Sequence, residues 1–218
     1  PIPTRYGLTV GELALMINNE RWIENQPQLE VIKMKGWTRN LWYDQTKLPW
    51  IKPSPNIPDL NTAIIYPGMC LLEATNLSEG RGTKKPFKKF GAPWINKQEL
   101  TQELNNLNLP GVVFKPITFI PTPIKGMSNN PKYKNQVCHG AEIILTNRDK
   151  FLSVFTGISI IKKINEKYPT QLKIKTSGMN RLWGNAEFST QMQSNDLYQF
   201  STPLRNYNKI AKKYFLYE

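Results

Sequence analysis

Glu79 and Arg81 flank a glycine in the run Asn-Leu-Ser-Glu-Gly-Arg-Gly-Thr that spans residues 76–83. Glycine lets the backbone turn sharply there, so a carboxylate and a guanidinium can face one point. A carboxylate in that position can take a proton, attack an electrophilic carbon or accept hydrogen bonds from hydroxyls. A guanidinium grips a carboxylate or phosphate through two parallel N–H donors. The pair reads as a ligand-gripping loop in a cleft; the same residues also read as a solvated turn closed by an ordinary ion pair. The whole stretch from Asn76 to Trp94 predicts a loop, because Gly80, Gly82, Pro86 and Gly91 break a polar run that has no helical or alternating period. Lys84, Lys85, Lys88 and Lys89 give it positive charge.

Other candidates carry weaker chemistry. Asn56, in Pro-Ser-Pro-Asn, reads first as a turn former and second as a sugar contact. Trp50, with Trp37 and Trp42, offers ring faces for a pyranose or anchors for a long connection. His139 has no acid partner in view and reads as a strand-end histidine. Cys70 and Cys138 are too few for a disulfide scaffold, and with one histidine they make no zinc set. They read as two unrelated buried thiols, with a single disulfide as the other possibility. No cofactor is expected.

With 39% hydrophobic and 21% charged residues, the 218-residue chain has the composition of a globular protein of one large or two smaller domains. Its formal charge of +13 attracts anions: nucleic acid, anionic lipid or an acidic glycan. Nucleic acid is not the expected partner, since no recognition helix, paired aromatic motif or zinc-finger spacing is found. No apolar run is long enough for a membrane span.

The elements that must position these residues follow in chain order. Thr9-Val10-Gly11-Glu12 has the form of a capping box and opens an amphipathic helix carrying Leu13, Met16 and Ile17. Leu29–Met34 predicts a strand, and helix then strand points to the last step of a larger α/β sheet. From Gly36 to Pro67, proline density predicts an extended surface segment without helix. Apolar runs at residues 63–66 and 69–72 lead into the focal loop. Asn96 with Glu99 caps a helix bearing Leu100, Leu104 and Leu107, which Pro110-Gly111 ends; Val112-Val113-Phe114 follows as a strand. Residues 121–136 form a second long loop, of the kind that is commonly functional. Ala141–Leu145 predicts a buried strand. Residues 146–149 then cap a helix whose face holds Phe151, Phe155, Ile158, Ile161 and Tyr168. Leu172–Lys175 predicts an edge strand. Leu197, Phe200, Leu204, Ile210, Tyr214 and Leu216 predict a terminal helical arm.

Several short motifs share an order and spacing with one family: residues 6–14 (Tyr-Gly-Leu-Thr-Val-Gly-Glu-Leu-Ala), Lys35-Gly36-Trp37, Leu48-Pro49-Trp50, Pro53-Ser54-Pro55-Asn56, Tyr66-Pro67-Gly68, the 76–83 run, Gly91-Ala92-Pro93-Trp94 and Tyr214-Phe215-Leu216-Tyr217. Almost end to end, the chain resembles the downstream half of the NamZ-type exo-β-N-acetylmuramidases. The resemblance implies an α/β to α+β architecture. Residues 1–68 would be the tail of a Rossmann-like catalytic domain with its Pro-rich connection, and residues 69–218 an α+β C-terminal domain. It also implies hydrolysis of the β-1,4 bond that releases a non-reducing terminal N-acetylmuramic acid, from muropeptides or MurNAc-GlcNAc oligosaccharides, in the bacterial envelope, periplasmic or secreted. The main catalytic glutamate would lie upstream of this chain, leaving the fragment inactive without its own N-terminal domain; a non-catalytic glycan-binding module is the alternative. By the same resemblance Asn76, Ser78, Arg81 and Thr83, with Asn56 and Trp50, would contact substrate. Arg81 would meet the lactyl carboxylate, and Glu79 would be a second carboxylate or an orienting acceptor. Lys47 stands where the family pattern has glycine, and Asn180 where an acid is frequent.

Overall fold

The computed structural model describes residues 2–188 and 201–218. It forms two compact units, Pro1–Pro49 with Asp196–Glu218, and Trp50–Asn195. Six α-helices and a three-stranded antiparallel sheet are found among the described residues, a mixed α and β architecture.

In the first unit, helix α1 (Val10–Asn19) begins where expected. Thr9 accepts from the Glu12 backbone while the Glu12 carboxylate accepts from the Thr9 backbone, so two otherwise orphaned N–H groups are satisfied together. Its apolar face, through Met16, packs with Leu8 against Tyr207 and Ala211. The latter pair comes from the C-terminal helix, which spans Ser201–Ala211. That bears out the helical arm at Leu204 and Ile210, while Tyr214 ends a short 3₁₀ turn and Leu216 lies beyond it, outside any helix; Leu197 and Phe200 lie outside the described residues. Glu12 is fully buried, and its charge is matched by the Arg39 guanidinium and the Leu216 backbone N–H.

The strand expected at Leu29–Met34 does not form. A strand is defined by a neighbour, and none pairs with it among the described residues. Val31 packs toward Gly11 of α1, while Ile32 is 91% exposed. Lys47 has a φ of 62°, the left-handed conformation that glycine adopts freely, at the position where the family pattern carries glycine.

In the second unit, helix α2 (Leu60–Met69) contradicts the expectation that proline would keep residues 36–67 free of helix. Asp59 caps its start through the Thr62 backbone, and Pro67 lies inside the helix, which forgoes one N–H to carbonyl bond there. The chain then tightens into a 3₁₀ turn, Cys70–Ala74. Strand β1 (Lys89–Ala92) lies inside the stretch expected to be loop throughout. Helix α3 (Lys97–Asn106) starts under its predicted Asn96 cap. Strands β2 (Val112–Phe119) and β3 (Cys138–Leu145) pair in register, and β3 sits centrally in the order β1-β3-β2.

Helix α4 (Ser153–Lys167) is the core helix expected, burying Ile158, Ile160, Ile161 and Ile164, but residues 146–149 do not cap it. The Asn147 side chain instead closes a turn by accepting from the Asp149 and Lys150 backbones, and α4 begins after Leu152. Helices α2 and α4 touch backbone to backbone at Gly68 and Gly157. Leu172–Lys175 is not a strand; a single bridge joins Ile174 to Thr75. Helix α5 (Thr176–Trp183) follows, and the C-terminal helix of the first unit is α6.

Candidate functional site

The Asn76–Thr83 run is folded into the second unit, not displayed on its surface. Leu77, Ser78 and Glu79 are all nearly inaccessible, as are Phe87 and Phe90 after them. Ser78 exchanges both backbone hydrogen bonds with Gly91 of β1, and the Phe87 N–H returns to the Glu79 carbonyl at 2.7 Å. Gly80 and Gly82 have φ of +78° and +76°. A side chain at either would also strike backbone: a Cβ at Gly80 would lie 2.6 Å from the Lys89 carbonyl, and one at Gly82 2.7 Å from that of Thr122. Both glycines are therefore required by conformation and by space.

This path brings Glu79 and Arg81 together, as their spacing predicted, and adds two groups the sequence did not connect to them. Arg81 donates to a Glu73 carboxylate oxygen at 3.1 Å; its Nε lies 3.8 Å from Glu79 Oε1, and its guanidinium stands over the Phe87 ring at 5.2 Å. Lys132, from the 121–136 loop, places its ammonium 3.1 Å from Glu79 Oε2. That ammonium also donates to the carbonyls of Leu72, Glu73 and Leu77 at 2.9, 3.2 and 3.0 Å. An ammonium has three protons, and three carbonyls take them. Glu79 Oε2 consequently feels the lysine charge yet receives no hydrogen bond, and Arg81 Nε likewise has no acceptor.

Accessibility divides the cluster. Glu79 is closed off with 5% of its side chain exposed, whereas Glu73 and Arg81 retain 27% and 33%. Burial pushes the Glu73 carboxyl above the ordinary glutamate range, and the nearby Glu79 adds to this, outweighing the opposing pull of Arg81 and Lys132. One partly open carboxyl disposed to hold a proton, one enclosed carboxylate matched by two cations, and a shared guanidinium can bind an anionic group and handle a proton beside it.

The other predicted contacts are placed elsewhere. Asn76 uses both ends of its amide on the chain itself, donating to Gln171 and accepting from the Lys173 backbone. Ser78 and Thr83 hold the turn, through the Gly80 N–H and carbonyl respectively. Asn56, nearly buried, donates to the Met127 carbonyl at 2.9 Å and so ties residue 56 to the 121–136 loop; its Oδ1 has no partner. Trp50 is partly buried. Of the loop lysines, Lys85 pairs with Glu142 and Lys88 with Asp59, so their charge is neutralised within the unit. Cys70 and Cys138 are free and buried, their thiols pushed up to about 11 by desolvation, which resolves the two readings in favour of separate thiols. The signals that could have found Glu73 and Lys132 were slight: an acid just ahead of the motif, and a long loop with lysines in it.

Two family profiles match the chain. The one described as exo-β-N-acetylmuramidase NamZ, C-terminal, covers residues 64–217, and its N-terminal counterpart covers residues 1–61. The chain is 40% identical over its whole length to the peptidoglycan β-N-acetylmuramidase NamZ of Bacillus subtilis (strain 168), and it spans 52% of that relative. Two crystal structures of DUF1343 family proteins from Bacteroides fragilis NCTC 9343 resemble it. One has a TM-score of 0.88 at 29% identity, over 100% of this chain and 58% of the other; the second has 0.67 at 25%, over 98% and 56%.

Proposed function

We propose, because the chain belongs to the exo-β-N-acetylmuramidase NamZ family, that it supplies the C-terminal portion of a glycoside hydrolase that trims peptidoglycan fragments. The reaction is hydrolysis of the β-1,4 bond of a non-reducing terminal N-acetylmuramic acid, in the bacterial envelope, periplasmic or secreted. The substrates are muropeptides and MurNAc-GlcNAc oligosaccharides. Residues 1–68 belong to the tail of a Rossmann-like domain with its Pro-rich connection, and the upstream part of that domain contributes the main catalytic acid, so this chain alone has no activity.

The observation that carries the reading is the state of Arg81. It is one-third exposed, stands over the Phe87 ring and is held between two carboxylates. A guanidinium fixed in that way suits the lactyl carboxylate that distinguishes muramic acid from other amino sugars. Glu79 orients the site, and Glu73 is the second carboxyl within reach of substrate. A protein in which this chain is joined to an upstream half of NamZ type should release chromophore from a chromogenic N-acetylmuraminide, and Glu79→Gln should reduce the rate at least about 100-fold, the scale of losing a preorganised polar group. Absence of release by the unaltered joined protein would sink the proposal.

A non-catalytic glycan-binding module is favoured by a different feature. Arg205, Lys209 and Lys212 line one groove along α6 with Asn206 and Asn208, a basic face for an anionic polymer.

A further inference from the structure

The cation that sits closest to Glu79 comes from the other long loop. Lys132 reaches the cage formed by the carbonyls of Leu72, Glu73 and Leu77, the terminus of the 3₁₀ turn and the start of the motif. The loop that carries it is seated at several further points. Pro131 packs against Gly82, the Thr122 N–H donates to the Gly82 carbonyl at 2.8 Å, and Tyr133 accepts from the Trp94 indole at 3.3 Å. The seated loop thus holds the Lys132 backbone beside the cage. The ammonium's protons are all taken by main chain, so its action on Glu79 is through charge and position.

We propose that Lys132 is a positioning residue for this site. It holds the Glu79 carboxylate in place beside Arg81, so that the guanidinium is presented to substrate in one position. The proposal rests on the reading of the Glu79–Arg81 cluster given above. The charged groups that face Glu79 are Arg81, Lys132 and, through Arg81, Glu73. No other group needs to move for the carboxylate to be held.

Three variants separate charge from stapling. Lys132→Gln keeps N–H donors for the carbonyl cage but removes the charge; Lys132→Arg keeps the charge; Lys132→Met removes both. Each is made with and without Glu79→Gln, and thermal unfolding of this chain is followed. With Glu79 present, Lys132→Gln should lower Tm by several degrees, and Glu79→Gln should abolish most of that loss, because a neutral partner has no charge to lose. Equal losses in the two backgrounds would overturn the proposal, since a residue that only staples carbonyls does not sense Glu79.

The second readout is kinetic, in the chain joined to its upstream half. Lys132→Gln should lower kcat at least tenfold with KM changed less than about threefold, and Lys132→Arg should restore at least half of the loss. Unchanged kcat in Lys132→Gln would overturn the positioning role even if the two residues couple in stability. If the unaltered joined protein has no activity at all, the reading of the preceding section falls, and the coupling measurement still decides whether Lys132 holds Glu79.

Discussion

At the scale of single residues, two glutamates face opposite balances. Burial works to raise the Glu12 carboxyl, but hydrogen bonds from Arg39 and from the Thr9 and Leu216 backbones prevail and hold it below the ordinary glutamate value of 4.5. Its stabilising contribution is therefore complete above about pH 4.5 and is lost as pH falls through the lower folded-state value. Glu73 is the reverse case, with its carboxyl raised by burial. Folding favours its protonated form, so its ionisation destabilises the fold as pH rises from about 4.5 through the raised folded-state value. Measured as Tm against pH, the gain on Glu73→Gln relative to the unaltered protein should grow between about pH 4.5 and pH 7. The loss on Glu12→Gln should be largest across that range and shrink only in stronger acid. The same trend for both variants would contradict these assignments.

At the scale of elements, the contact of α2 with α4 depends on two residues without side chains. A Cβ on Gly157 would lie 2.3 Å from the Gly68 carbonyl, and one on Gly68 would lie 1.8 Å from the Ser153 carbonyl. Backbone cannot yield as a flexible side chain can, so the helices would have to separate. Gly157→Ala should cost about 1–3 kcal/mol, read from urea unfolding, even though alanine is the better helix former. An increase in stability would show that the helices are not so closely apposed. The same contrast between local and distant causes explains which elements were legible. Thr9 with Glu12, and Asn96, announce themselves because each acts on backbone within four residues. Leu29–Met34 and Leu172–Lys175 have the residues of strands, but pairing is decided by a partner elsewhere in the chain. Strand β1 was hidden for the same reason: Lys89–Ala92 is a strand because Cys138–Leu145 lies beside it. Pro67 misled because an interior proline costs a helix one hydrogen bond without forbidding it, and α2 carries one.

At the scale of the whole molecule, the candidate site was legible to the extent that it is contiguous. Glu79 and Arg81 are two residues apart, and a glycine between them suffices to predict their meeting. Lys132 arrives only through the fold of a distant loop, and Asn76, Ser78 and Thr83 proved to be engaged by main chain, Asn76 by that of Gln171 and Lys173. The formal charge of +13 belongs to this scale as well. If the α6 groove carries glycan binding, protein bound to insoluble peptidoglycan should elute between about 0.1 M and 1 M salt, as the screening length falls from roughly 10 Å to 3 Å. Retention that ignores salt would argue against it. The first unit draws on both ends of the chain: Tyr207 donates to the Tyr6 carbonyl, the Leu216 N–H to Glu12, and the Arg39 N–H to the Glu218 carbonyl. On the ribosome these partners emerge far apart in time. At about 5–20 residues per second, the intervening segment takes on the order of ten to forty seconds to make. Helix α1 cannot meet Tyr207 and Ala211 before then, while the second unit, contiguous in sequence, is free to fold first.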